Sequence, residues 1–110
     1  MQPLGVHHVS INVDDADEAI AFYTDVLGLT VRDDRPDFPF GGAWLDVGGQ
    51  QVHLLEIDVP DDKGQHIAIR DSDHEAAEAE LRSRDVTETD PSPEGTSRQT
   101  FLHDPSGNRI

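Results

Sequence analysis

Six histidines and 23 carboxylates, with no cysteine, set the chemistry open to this 110-residue chain. Without thiols there is no disulfide, no sulfur nucleophile and no thiolate metal site, so any metal must be held by imidazole nitrogen and oxygen. Spacing then sorts the histidines. In VHHVSINV, residues 6–13, alternation puts His8 with Ser10 and Asn12 on a polar strand face, while His7 shares the parity of Val9, Ile11 and Val13. His66 opens the similar stretch QHIAIR with the same parity. Such a pair is either two metal ligands or a coincidence between short strands. His53, in VHLLEI, shares its side with Leu55 and Ile57. Alone, it reads as either a half-buried imidazole satisfied by a neighbour or a third ligand.

The elements that must carry these residues follow from periodicity. After the strand at 6–13, a helical stripe of Ala19, Ile20, Phe22, Tyr23, Val26 and Leu27 predicts a helix over 15–27, stopped at Gly28. Short strands fit 29–33, 43–47 and 51–57, with Gly48-Gly49 as the turn between the last two. The unit is βαβββ. A shift of 58 positions lays it, without a gap, on the rest of the chain: His8 on His66, Ile11 on Ile69, Asp15 on Asp73, Asp46 on Asp104 and Gly49 on Gly107. The expectation is an α+β fold, a single domain over 1–110 built from module one (1–58) and module two (65–110), joined by the turn-rich linker 59–64. Residues 87–97, TETDPSPEGTS, read as loop. By the same shift His53 falls on position 111, one place beyond the last residue, and a pseudo-twofold axis between the modules would bring all four positions together.

The remaining motifs are weaker. His74, beside Glu75 and Glu78 at the start of the second helix, reads as a surface residue. His103, placed by the repeat on Leu45, is a candidate pocket residue together with Ser10, Asn12 and Arg70. No GxSxG, P-loop or GxGxxG occurs. The formal charge of −15 repels phosphate backbones and excludes nucleic acid and anionic membrane as partners. With 16 Asp against 7 Glu, and Lys63 as the one lysine, the surface resembles those of proteins from salt-loving cells, where counterions screen dense carboxylates. No apolar run approaches a bilayer span and MQPLG is no signal segment, so a cytoplasmic protein is expected.

The phrases HHVSINV, DEAIAFYTDVLGL, WLDVGGQQVHLLE, QHIAI and FLHDPSGNRI resemble the vicinal oxygen chelate superfamily. Glyoxalase I, methylmalonyl-CoA epimerase, extradiol dioxygenases, fosfomycin-resistance thiol transferases and bleomycin-resistance proteins belong to it. The resemblance implies two βαβββ modules forming a curved mixed sheet around a metal site. It makes His8 and His66 the first-strand ligands and His53 the fourth-strand ligand of module one. The fourth-strand ligand of module two, usually a glutamate, would stand at position 111.

A divalent metal with two adjacent open positions chelates both oxygens of a substrate and acts as a Lewis acid on a developing enolate. Histidine and carboxylate suit Zn, Ni, Fe, Mn or Co. In glyoxalase-like members a metal-linked glutamate also moves the proton; here position 111 is the candidate, because strand parity turns Glu56 away. The resemblance thus implies a metal-dependent, glyoxalase-like lyase or isomerase on a small oxygenated substrate, working as a homodimer. The rivals are an extradiol-type dioxygenase using His8, His66 and the carboxylate at 111, and a metal-free small-molecule binding protein of the bleomycin-resistance kind.

Overall fold

The computed structural model describes residues 1–87, 92–94 and 97–110. It comprises two compact units, Met1–Pro60 and Asp61–Ile110. The first has the order expected from the sequence: β1 (His8–Val13), α1 (Ala16–Ala21) running on into a π-helical turn (Phe22–Val26), β2 (Thr30–Val31), β3 (Gly42–Val47) and β4 (Gln50–Glu56). Its strands lie in the order β1-β4-β3-β2, with β1 parallel to β4 and the other neighbours antiparallel. The result is a mixed sheet in an α+β fold.

Helix α1 starts where Asp15 can cap it. The Asp15 Oδ1 accepts from the Glu18 N–H at 3.0 Å, and Glu56 Oε2 accepts from the Ala16 N–H at 2.7 Å, so two of the unpaired first-turn donors are satisfied. The regular helix is shorter than the predicted 15–27. After Ala21 the turn widens, with the Leu27 N–H reaching the Phe22 carbonyl at 3.2 Å, and this wider turn accompanies burial of two adjacent aromatics, Phe22 and Tyr23. Gly28 then ends it at φ +74°, a left-handed conformation that glycine adopts without strain.

One sheet face carries Val13, Ala43, Leu45, Val52 and Leu54, all buried, and these share the core with Ala16, Ala19 and Tyr23. Strand alternation sends His8, Ser10, Gln51, His53 and Trp44 to the opposite face. The two-residue turn Gly48-Gly49, with Gly48 at φ +57°, fixes the β3–β4 register so that Trp44 stands directly across from His53.

In the second unit, α2 (His74–Ser83) is capped by Asp73, whose Oδ1 accepts from the Ala76 N–H at 3.1 Å. Asp73 thus does for α2 what Asp15, 58 positions earlier, does for α1. The strand expected at QHIAIR is reduced to one parallel bridge, His66 to Arg109, in the register of His8 to Gln51. Leu102 and Ile110 exchange both backbone hydrogen bonds, at 3.0 and 2.9 Å, closing a hairpin whose loop residues 105–107 are held by buried Asp104. Its Oδ1 accepts from the N–H groups of Ser106 and Asn108, each at 2.9 Å.

Two expectations need correction here. The segment predicted as loop contains a strand pair, β5 (Ser92–Glu94) with β6 (Ser97–Gln99); positions 88–91 and 95–96 of that prediction lie outside the described residues. The ungapped shift of 58 also fails in the hairpin. Three loop residues stand where module one has two, so His103 pairs with Arg109 as Asp46 pairs with Gln51. His103 therefore corresponds to Asp46, and the counterpart of Leu45 is Leu102, buried as Leu45 is.

Candidate functional site

On the face of the first unit's sheet away from α1, three rings form a continuous stack. His8 lies on His53 with centroids 4.1 Å apart and planes 13° apart, and His53 lies on Trp44 at 4.3 Å and 8°. The register demands this order, since Ser10 and Trp44 are the cross-strand partners of His53 and His8 sits two residues before Ser10. The stack floors an open cleft of about 590 Å³, walled by the loop after β2 through Arg35, Phe38 and Phe40. A cleft of this size matches small-molecule sites.

His53 is 6% exposed. Burial, then the nearby His8, His7 and Arg32, lower its pKa below the ordinary histidine value and keep the ring neutral. Its Nε2 meets Gln51 Oε1 at 2.8 Å, an acceptor, so Nε2 carries the proton and Nδ1 keeps its lone pair. His8 engages His7 through their Nδ1 atoms at 2.8 Å. Arg32 binds Asp34 through two nitrogens, at 2.9 and 2.8 Å, and Asp46 through a third at 2.7 Å. The Arg32 hydrogen bonds hold the Asp34 carboxyl below the usual carboxylate range. Arg32 is itself raised by its bonds to Asp34 and Asp46.

His66 lies in the second unit. Its Nδ1 donates to the Gly64 carbonyl at 2.8 Å and its ring meets the edge of Phe101 at 5.8 Å. A backbone carbonyl at Nδ1 fixes the tautomer and leaves Nε2 as the lone-pair nitrogen. Nearby, Asp62 Oδ2 takes His103 Nε2 at 2.7 Å and Arg109 at 2.9 Å. These bonds, with the Gly64 N–H between them in strength, hold the Asp62 carboxyl far below the carboxylate range.

Of the residues singled out from sequence, His8, His53 and Ser10 line one cleft. Asn12 is turned to the Asp58 carbonyl, which its Nδ2 reaches at 2.8 Å. His66, Arg70 and His103 belong to the second unit, Arg70 exposed and His103 joined to Asp62. Glu56 is on the other face, against Ala16, as parity requires. Among the described residues, no three His, Asp or Glu side chains gather into a group that could hold a metal. The stacked pair explains part of this. Lone pairs lie in the ring planes, so two nearly parallel rings 4.1 Å apart direct theirs side by side, and a shared ion at the usual distance of roughly 2 Å needs one ring to turn.

Sequence parity missed His7, because β1 begins at His8 and alternation does not extend to the residue before it. It also missed Trp44 and the wall residues Arg35, Phe38 and Phe40. Trp44 could have been found by counting outward equally from Gly48-Gly49, which pairs it with His53. The wall has no periodic signal. Among the described residues, no helix is long and apolar enough to cross a membrane.

The family model of the Glyoxalase/Bleomycin resistance protein/Dioxygenase superfamily matches residues 5–110. Among solved structures, the chain is similar to the trypanothione-dependent glyoxalase I of Leishmania major, at 28% identity and TM-score 0.75 over 98% of this chain and 84% of that one. It is similar to TnmS3, an antibiotic binding protein from Streptomyces sp. CB03234, at 26% identity and TM-score 0.80 over 100% and 94%. The fosfomycin resistance protein FosX of Listeria monocytogenes, solved with Mn(II) and 1S,2S-dihydroxypropylphosphonic acid, shares the fold at 16% identity and TM-score 0.80 over 98% and 89%. No curated protein matches. With its mixed βαβββ sheet and a family match spanning nearly its whole length, the chain belongs to the glyoxalase/bleomycin resistance/dioxygenase superfamily.

Proposed function

We propose that the protein is a metal-dependent, glyoxalase-like lyase or isomerase acting on a small oxygenated substrate, with His8, His53 and His66 as ligands of a divalent ion. One observation carries this reading. Each of the three histidines has one ring nitrogen engaged, by His7, Gln51 and the Gly64 carbonyl respectively, and the other without a partner among the described residues. A ligating imidazole is held in the same way, oriented from behind through one nitrogen with the other open to the ion. Burial of His53 supports the same end by suppressing the protonated form that could not ligate. A bound ion would supply Lewis acidity toward adjacent substrate oxygens. The chain's own part is to keep His53 uncharged, to hold His8 against it, and to shelter the substrate in the cleft beside Ser10. A homodimer in the cytoplasm, taking a small molecule and no nucleic acid, completes the proposal.

The test is metal content. The purified protein should hold Zn, Ni, Fe, Mn or Co in stoichiometric amount, and His8→Ala and His66→Ala should each lose it. Full retention in both variants would refute the ligand set. A second reading, metal-free binding of a flat molecule, is favoured by the His8, His53 and Trp44 stack, which a further ring could extend at either end. No metal in the isolated protein and no affinity for added metal would select that reading.

A further inference from the structure

We infer that the cleft of the first unit takes a planar carboxylate, an aromatic or conjugated acid, and that Arg35 receives its anionic group. This rests on the reading that the cleft is the ligand site, not on whether a metal is held there.

The case starts from charge. Arg32, Arg84 and Arg109 each lie within 3.2 Å of a carboxylate. Arg35 has no carboxylate partner among the described residues, in a chain whose formal charge is −15. One of its nitrogens, Nη2, donates to the Phe40 carbonyl at 2.8 Å. Its guanidinium lies over Phe38 at 5.0 Å and Phe40 at 5.8 Å. The ring contacts and this hydrogen bond hold the guanidinium in place while leaving most of its five N–H donors unused among the described residues. A fork held in place this way is built for an oxyanion, and a carboxylate matches it with two parallel hydrogen bonds.

The acidic groups do not oppose this. The charged residues lining the cleft are Arg32, Arg35 and Asp34, and Asp34 is already clasped by Arg32. Asp46 takes the third nitrogen of Arg32, so both nearby carboxylates are engaged by Arg32 and neither by Arg35, and a concave site concentrates the field of the charge that is left.

The aromatic surface sets the rest of the ligand. Phe38 is 40% exposed at the rim, and its ring faces Trp44 at 6.4 Å with the planes inclined at 50°, so neither covers the other. An acid whose carboxylate is coplanar with its ring can put the anion on Arg35 and lay its flat face against one of these two rings, with its edge toward the other. A saturated acid offers the anion without the face, and a neutral amide offers the face without the anion.

Trp44 is the one tryptophan of the chain, so its emission reports directly on the cleft. The whole protein, stripped with a chelator, is titrated with benzoate, benzamide and cyclohexanecarboxylate. Benzoate should give a saturable change, and the other two should bind at least tenfold more weakly. Arg35→Ala should weaken benzoate at least tenfold and leave benzamide unchanged, while Arg35→Lys should fall between. Equal affinity of the wild-type protein for benzoate and benzamide would overturn the inference without recourse to any variant, as would an Arg35→Ala protein of native circular dichroism that binds benzoate normally. Repeating the series with added Zn separates this idea from the metal proposal. Benzoate binding that needs the metal and ignores Arg35 sinks the arginine assignment alone, and metal-free binding that needs Arg35, in a protein that never takes up metal, sinks the metal proposal alone.

Discussion

Gly42 is where the site-bearing strand is most exposed to a single methyl group. It sits at φ +151° at the start of β3, and a Cβ built there overlaps the Leu54 carbonyl oxygen, comes within 3.0 Å of the Leu54 carbonyl carbon and 3.4 Å from Arg35 Nη2. Leu54 is central to β4 and follows His53 directly. Gly42→Ala therefore combines a strained backbone, about 1–3 kcal/mol, with a clash against backbone that cannot rotate away, about another 1–3 kcal/mol by analogy with overpacked cores. The sum, roughly 2–6 kcal/mol, is a large share of the 5–15 kcal/mol typical of whole domains. At about 4–5 °C per kcal/mol for a chain of this size, the melting temperature should fall by roughly 8–30 °C. Two glycines nearby calibrate the effect. Gly49→Ala meets nothing within 4 Å at an ordinary φ, and should stay within about 0.5 kcal/mol of wild type. Gly41→Ala, whose Cβ would lie 3.3 Å from Ala16 Cβ and from Glu56 Oε1, should fall between. Urea and thermal melts followed by Trp44 emission and by circular dichroism measure all three. A Gly42→Ala protein within 1 kcal/mol of wild type would refute the close β3–β4 approach from which the stack is derived.

The lowered pKa of His53 makes stability depend on pH in one direction. The unfolded chain takes up that proton first, so stability is full above about pH 6.5 and declines as pH falls from there to the folded pKa, with a slope of at most about 1.4 kcal/mol per unit. His53→Gln should remove this component, and parallel pH profiles of the urea midpoints for the two proteins would contradict it. The charge of −15 predicts a melting temperature that rises from dilute buffer to molar KCl, with the proposed dimer visible in light scattering of the same samples. A melting temperature indifferent to salt would end the halophile reading.

Much of the first unit was legible because strict alternation and a helical stripe sit side by side in residues 6–28, and both are consequences of burying one face. Parity alone separated His8 from Val9 and turned Glu56 away. The π turn was not legible, since adjacent buried aromatics at 22 and 23 fit a helical stripe loosely without announcing a change of pitch. The wall of the cleft was hidden for a different reason. Arg35, Phe38 and Phe40 lie between strands, where side-chain direction follows loop conformation and not a repeat, so residue type alone could not place a cation over two rings. The hairpin of the second unit misled because the matching Asp and Gly letters conceal one additional loop residue.

That single residue has a bearing on how the two halves should be compared. Upstream of the turn the second copy is out of phase by one, as His103 stands where Asp46 does, while His66 and Arg109 keep the phase of His8 and Gln51. A gap placed inside the turn restores inward to inward and outward to outward. Under that alignment the counterpart of Trp44 is Phe101, in a T-shaped contact with His66. Anyone grafting the aromatic platform of the first half onto the second should therefore mutate Phe101 and leave buried Leu102 alone.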